Sequence, residues 1–218
     1  MNDGNIPLIY SKDKTTLIKY PPAKSLSQYK VPDNVRKLEA AAFKECWKLN
    51  EIIIPKYVCE IGNHAFYGCE GLTDIEIPFN ITEINYYTFM NCINLKNIII
   101  PYGVSSIGYN AFAGCKNLEE IEMPPTIRKI GHSAFSDCQS LKSVDIPEGV
   151  TQIEGGTFWE CSALESVFLP STLKSIGGSA FMWCSNLKTV IVETTAEGVI
   201  FNEFAGCTKF TEIKVGEN

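Results

Sequence analysis

Most of this chain repeats itself every 23 residues. Cysteine keeps that spacing at Cys46, Cys69, Cys92, Cys115, Cys138, Cys161, Cys184 and Cys207. Phenylalanine keeps it at Phe43, Phe66, Phe89, Phe112, Phe135, Phe158, Phe181 and Phe204. Proline keeps it at Pro32, Pro55, Pro78, Pro101, Pro124, Pro147 and Pro170. No insertion disturbs any of the three series. A period of about 20–50 residues belongs to a solenoid, a propeller or an array, in which each unit packs only against its neighbours. The sequence divides into an atypical hairpin-like or capping stretch, 1–31, eight 23-residue units, 32–215, and a short tail without a cap, 216–218.

One unit reads Phe66-x-x-Cys69-x-x-Leu72-x-x-Ile75-x-Ile77-Pro78-x-x-Ile81-x-x-Ile84. Ile75 and Ile77 alternate with Asp74 and Glu76, the period-two signature of a half-buried strand. Proline closes that strand, because it has no N–H to extend a ladder. A second short extended piece follows, as in Val104-Ser105-Ser106-Ile107. The corner after it holds Gly62, Gly108, Gly131 or Gly177, but Asn85 and Glu154 in two other units, so a positive φ is allowed there and not required. Ala111-Phe112 is then expected to open a short helical or 3₁₀ turn. The predicted fold is an α/β repeat solenoid: parallel coils stacked ~4.8 Å apart, roughly 35–40 Å in all.

Composition narrows the function. The chain has 218 residues, a formal net charge of −6 and no long run of Lys or Arg, so neither a generic grip on phosphates nor a nucleic-acid partner is expected. The longest apolar runs, such as Ile98-Ile99-Ile100, fall far short of the ~18 residues of a membrane helix, so no membrane insertion is expected. No apolar signal-peptide segment follows Met1 to Gly4. There is no Gly-x-Ser-x-Gly, P-loop or Gly-x-Gly-x-x-Gly signature, and no catalytic residue or cofactor is expected.

The stretch Leu95 to Cys115 reads Leu-x-x-Ile-x-Ile-Pro-x-x-Val-x-x-Ile-Gly-x-x-Ala-Phe-x-x-Cys. It resembles the BspA-type leucine-rich repeat, the bacterial surface-antigen class, and the resemblance covers essentially the whole chain. Leu8 to Pro21 is similar to the interrupting hairpin units of that family, with Tyr20 in the frame of Phe, Ala23 in that of Cys and Val31 in that of the strand's second Ile. The last unit departs from the pattern, with Glu193, Ile200 and Glu203 for Pro, Gly and Ala, and Phe210 for Leu. Its open edge suggests possible self-association through the C-terminal coil. The resemblance implies a cell-surface or secreted protein that adheres to matrix proteins or other cells.

The candidate surface is the outward column of the first strand: Ile53, Glu76, Ile99, Glu122, Asp145, Phe168, Ile191 and Lys214, flanked by Asp74, Glu120 and Glu212. Exposed Ile and Phe around carboxylates suit a protein or glycan partner, although β-branched and aromatic residues also stabilise a sheet without any ligand. A secondary stripe combines Tyr67, Tyr86, Tyr87, Tyr109 and His132, and Phe79 with Tyr102 forms a further pair; all could equally be corner packing. A structural spacer projecting other domains is the alternative role. The cysteine column is expected to be buried free thiols, since parallel Cβ vectors one coil apart exceed the usual disulfide span. Cys59, outside the series, is expected to face solvent. No Cys-x-x-Cys pair exists, and His64 and His132 lie about three coils apart, so no metal site is expected.

Overall fold

The computed structural model describes residues 7–192 and 204–215. β1 (Ile9–Tyr10) and β2 (Thr16–Lys19) form an antiparallel hairpin. The chain then winds in coils, each offering two short strand positions. After β3 (Gln28–Lys30) and β4 (Lys37–Leu38) come β5 (Glu51–Ile53), β6 (Glu60–Ile61), β7 (Glu83–Ile84), β8 (Asn97–Ile99) and β9 (Ser106–Ile107). The later coils hold β10 (Glu120–Glu122), β11 (Lys129–Ile130), β12 (Ser143–Asp145), β13 (Gln152–Ile153), β14 (Ser166–Leu169), β15 (Ser175–Ile176), β16 (Thr189–Val192) and β17 (Glu212–Val215). The fold is a parallel β-solenoid. Its pairing register is the sequence period itself: Ile98 lies opposite Ile121, Val167 opposite Val190, and Ile130 opposite Ile153.

Two ladders run along the stack. One carries the proline-terminated strands, the other the short strands after the proline. Each proline opens a turn in which its carbonyl accepts the N–H three residues on, as in Val104 N to Pro101 O at 2.9 Å. The second ladder runs β2–β4–β6 and, after one gap, unbroken from β7 through β9, β11 and β13 to β15. The first is broken more often. It falls into β3–β5, β8–β10 and β12–β14–β16–β17, and residues 74–77 contribute only an isolated bridge from Asp74 to Glu51.

The expected helical turn is a ribbon of tight turns instead; among the described residues 3₁₀ geometry is confined to Phe204. In the segment 62–69 the N–H groups alternate in direction. Tyr67 and Cys69 donate three residues back, to His64 and Phe66, while His64, Phe66 and Gly68 donate to Tyr86, Thr88 and Met90 of the next coil. A helix would consume every N–H within its own segment. The alternation requires left-handed residues twice per coil, at His64 (57°) and Gly68 (67°), at Asn110 (51°) and Gly114 (74°), and so on. The corner glycines are not among them. They permit close approach instead: a Cβ on Gly177 would lie 2.5 Å from the Gly155 nitrogen of the coil below.

The core is a set of columns. Phe43 to Phe204 stack ring on ring at 5.2–5.5 Å, extended by Tyr20 at one end (5.4 Å) and Phe210 at the other (5.1 Å). Beside them runs a buried leucine column that includes Leu72, Leu95, Leu118, Leu141 and Leu164. The cysteines form the third. All are free thiols, and those from Cys69 to Cys207 donate S–H to the Phe carbonyl of the previous coil at 3.1–3.3 Å. That carbonyl also receives its own coil's cysteine N–H, as in Cys115 N to Phe112 O at 3.1 Å. The small thiol therefore fills the turn and satisfies a second lone pair on an otherwise buried oxygen.

Candidate functional site: the outward face of the first ladder

Strand alternation places one set of side chains inward and the other outward. Ile52, Ile98, Val144, Val167 and Val190 are buried, while Ile53, Glu76, Ile99, Glu122 and Asp145 of the predicted column are exposed. Phe168 and Ile191 correct the expectation of exposure: both are half-buried. They lie in the continuous part of the ladder, where Phe168 pairs with Asp145 on one side and Ile191 on the other, so cross-strand neighbours cover their flanks. Lys214 is exposed and ion-paired to Glu212 at 3.0 Å.

Charge is distributed unevenly around the coil. Next to the first ladder, Lys142 pairs with Glu119 at 3.1 Å and Lys188 with Glu165 at 2.8 Å, each with a coil-to-coil neighbour. On the strand face itself, Glu51, Asp74, Glu76, Glu120, Glu122 and Asp145 make no ion pair with any described residue. From Glu51 to Asp145 the outward strand positions contain no Lys or Arg. The face is acidic and uncompensated.

At the interruption of the ladder the surface opens into a groove of about 760 Å³ across three coils, lined among others by Ile53, Asp74, Glu76, Phe79, Ile99 and Pro101. Its walls include strongly exposed apolar side chains: Phe79 is 64% exposed and Ile99 70%. Tyr102, which follows Pro101 but does not line the groove, is 71% exposed. A shallower depression of about 410 Å³ lies between Met123, Asp145 and Phe168, over the second break in the ladder.

The secondary stripe is partly assembled. Tyr87 meets Tyr109 at 5.4 Å, and Tyr109 stacks on His132 at 5.3 Å. His64, which the sequence reading used only to exclude a metal site, joins the row: it stacks on Tyr87 at 4.5 Å and lies 5.9 Å from the Tyr67 ring. The signal was available, because His64 stands one period before Tyr87. Partial burial, and then the Lys44 ammonium, hold its imidazole below the usual range. Tyr86 is exposed and outside this stack. His64 on Tyr87 and His132 on Tyr109 are stacked coil to coil, while Tyr87 and Tyr109 meet tilted, at 57°. Among the described residues no three His, Cys, Asp or Glu side chains are grouped to hold a metal ion, and no helix is long and apolar enough to cross a membrane. Cys59 is exposed, as expected. Glu193, Ile200 and Glu203, the departures in the last unit, lie outside the described residues, as does the tail 216–218.

Comparison with known proteins agrees with this geometry. The model of the BspA type leucine rich repeat region matches residues 22–127 and 105–218. A leucine-rich repeat protein of T. pallidum is 29% identical, with a TM-score of 0.73 over 83% of this chain and 87% of that one. A leucine-rich repeat protein from Bacteroides ovatus is 24% identical, with a TM-score of 0.57 over 96% of this chain and 74% of that one. The pneumococcal vaccine antigen PcpA is 20% identical, with a TM-score of 0.63 over 97% of this chain and 46% of that one. A search of curated proteins returns no match. The last two structures speak for the fold alone. With the 23-residue coil, its Phe and Cys columns and a matching family model over almost its whole length, the chain belongs to the BspA-type leucine-rich repeat family.

Proposed function

We propose that this repeat protein is a non-enzymatic recognition module, working at a cell surface or outside the cell, that binds a protein or glycan partner through the outward face of its first ladder. The observation that carries the reading is the join of exposed apolar side chains and unpaired carboxylates on one face. Ile53, Phe79, Ile99 and Tyr102 stand in solvent within three coils, beside Glu51, Asp74 and Glu76. Exposed apolar surface gathered in one place marks contact with a partner. Two similar proteins support the compartment: PcpA is described as a pneumococcal vaccine antigen, and a Faecalibacterium prausnitzii relative of the fold as a leucine rich cell surface protein.

The test is saturable binding of the purified chain to immobilised matrix proteins and glycans, next to an Ile99→Lys/Phe168→Lys variant. Binding that the variant loses supports the face as the contact surface. Binding that the variant keeps moves the contact to the row of Tyr67, Tyr87, Tyr109 and His132. No binding at all favours a spacer that projects other domains.

A further inference from the structure

We infer that the groove over the interrupted ladder takes a polypeptide segment in which Lys or Arg side chains stand next to large apolar ones. The inference rests on the strand face being a contact surface and narrows it to one place and one partner chemistry. The place follows from the ladder. In the coil of 74–77 the strand does not pair with β8, and the face opens there into a depression of about 760 Å³, within the range of recognition pockets. The second break, over Met123, Asp145 and Phe168, opens only into the smaller depression of about 410 Å³, and further along the ladder Ile191 is half-buried.

The partner's chemistry follows from the walls. Ile99, Phe79 and Ile53 offer apolar surface that only apolar side chains can cover with gain. Between them stand Glu51, Asp74 and Glu76, whose carboxylates make no ion pair with any described residue. The cation at the rim, Lys56, lies over the Tyr57 ring at 5.1 Å, a neighbour it shares with Arg36 at 5.1 Å. An acidic or neutral ligand would leave the carboxylates uncompensated in a partly desolvated groove. A basic one compensates them and gains on-rate from steering. Glycans offer hydroxyls but little apolar area to match Ile53, Phe79 and Ile99 together.

The test measures binding of two dodecapeptides, one alternating Lys with Ile and one alternating Glu with Ile, and of a neutral oligosaccharide. The proteins are the full chain and its Ile99→Lys, Glu76→Lys, Glu83→Lys and Phe168→Lys variants. Glu83 sits on the second ladder, so Glu83→Lys repeats the charge change of Glu76→Lys on another face. The Lys peptide should bind at least about tenfold more tightly than the Glu peptide. Ile99→Lys and Glu76→Lys should each weaken it about tenfold or more, Glu83→Lys by less than about twofold, and added salt should weaken it further. Equal losses in Glu76→Lys and Glu83→Lys would reduce the effect to net charge and overturn the inference. Equal binding of the two peptides, or preference for the oligosaccharide, would overturn it too. Loss in Phe168→Lys alone would reject the groove while leaving the strand face as the contact surface. Indifference to all three face variants would reject both.

Discussion

Tyr20 shows how far one residue can depart from its column. It occupies the frame of phenylalanine and stacks on Phe43 at 5.4 Å, but its hydroxyl is buried without a hydrogen-bond partner. An unsatisfied buried hydroxyl costs about 1–3 kcal/mol. Tyr20→Phe should therefore raise the denaturant midpoint at unchanged slope, by about 1 kcal/mol; a lower midpoint would mean that the hydroxyl is used. The thiols make a second residue-scale prediction. Burial pushes Cys46, Cys115 and Cys161 up to about 12 from 9.0. A thiol whose folded pKa lies above its unfolded one keeps its proton in the fold while the unfolded chain loses it. Stability is then fully present below pH 9 and falls as pH rises from about 9 to 12, by up to about 1.4 kcal/mol per pH unit per thiol. Urea midpoints across that window should drop steeply, whereas a flat profile would place the thiols in water. A thiol reagent at neutral pH should meet Cys59 fast in the native chain and all nine cysteines only after unfolding. Burial of the cysteine column was legible in the sequence for Cys46 to Cys184, whereas Cys207 in the last coil is half-buried. The S–H bonds to the Phe carbonyls were not legible, because they depend on where the previous coil places its backbone.

At the scale of the element, the turn ribbon explains an expectation that failed. Ala-Phe-x-x-Cys has the spacing of a helical face, yet every second N–H in it serves the next coil. The penalty is a left-handed residue twice per coil, including non-glycine ones such as Glu160 at 59° and Trp183 at 66°. Left-handed backbone costs a non-glycine residue about 1–2 kcal/mol. Glu160→Gly should stabilise by about 0.5–1 kcal/mol in thermal unfolding, after the entropy that glycine adds to the unfolded chain. Gly177→Ala should destabilise, by about 1–3 kcal/mol, because its Cβ meets the Gly155 backbone. The strands themselves were legible by period two. The break in the ladder was not. Asp74-Ile75-Glu76-Ile77 alternates as well as the stretch that holds the strand Glu120–Glu122, so the local pattern does not account for the difference.

At the scale of the whole molecule, the stack turns one short pattern into surfaces that run its length. A column of identical residues becomes core, and a column of varied ones becomes a face. Ladders of Phe and Cys carry cohesion, so Phe112→Ala, deep in the stack, should cost about 3–5 kcal/mol and be read as a lower unfolding midpoint of the whole array. The face is free to vary because no core contact depends on Ile99 or Glu76. The most direct check of the central claim is hydrogen exchange of the full chain, alone and saturated with whichever immobilised matrix component binds it. Recognition through the first ladder predicts slowed exchange at 51–54, 74–79 and 97–101, with 64–67, 86–87, 109 and 132 unchanged. Slowing confined to the tyrosine and histidine row, with the strand face unaffected, would contradict it.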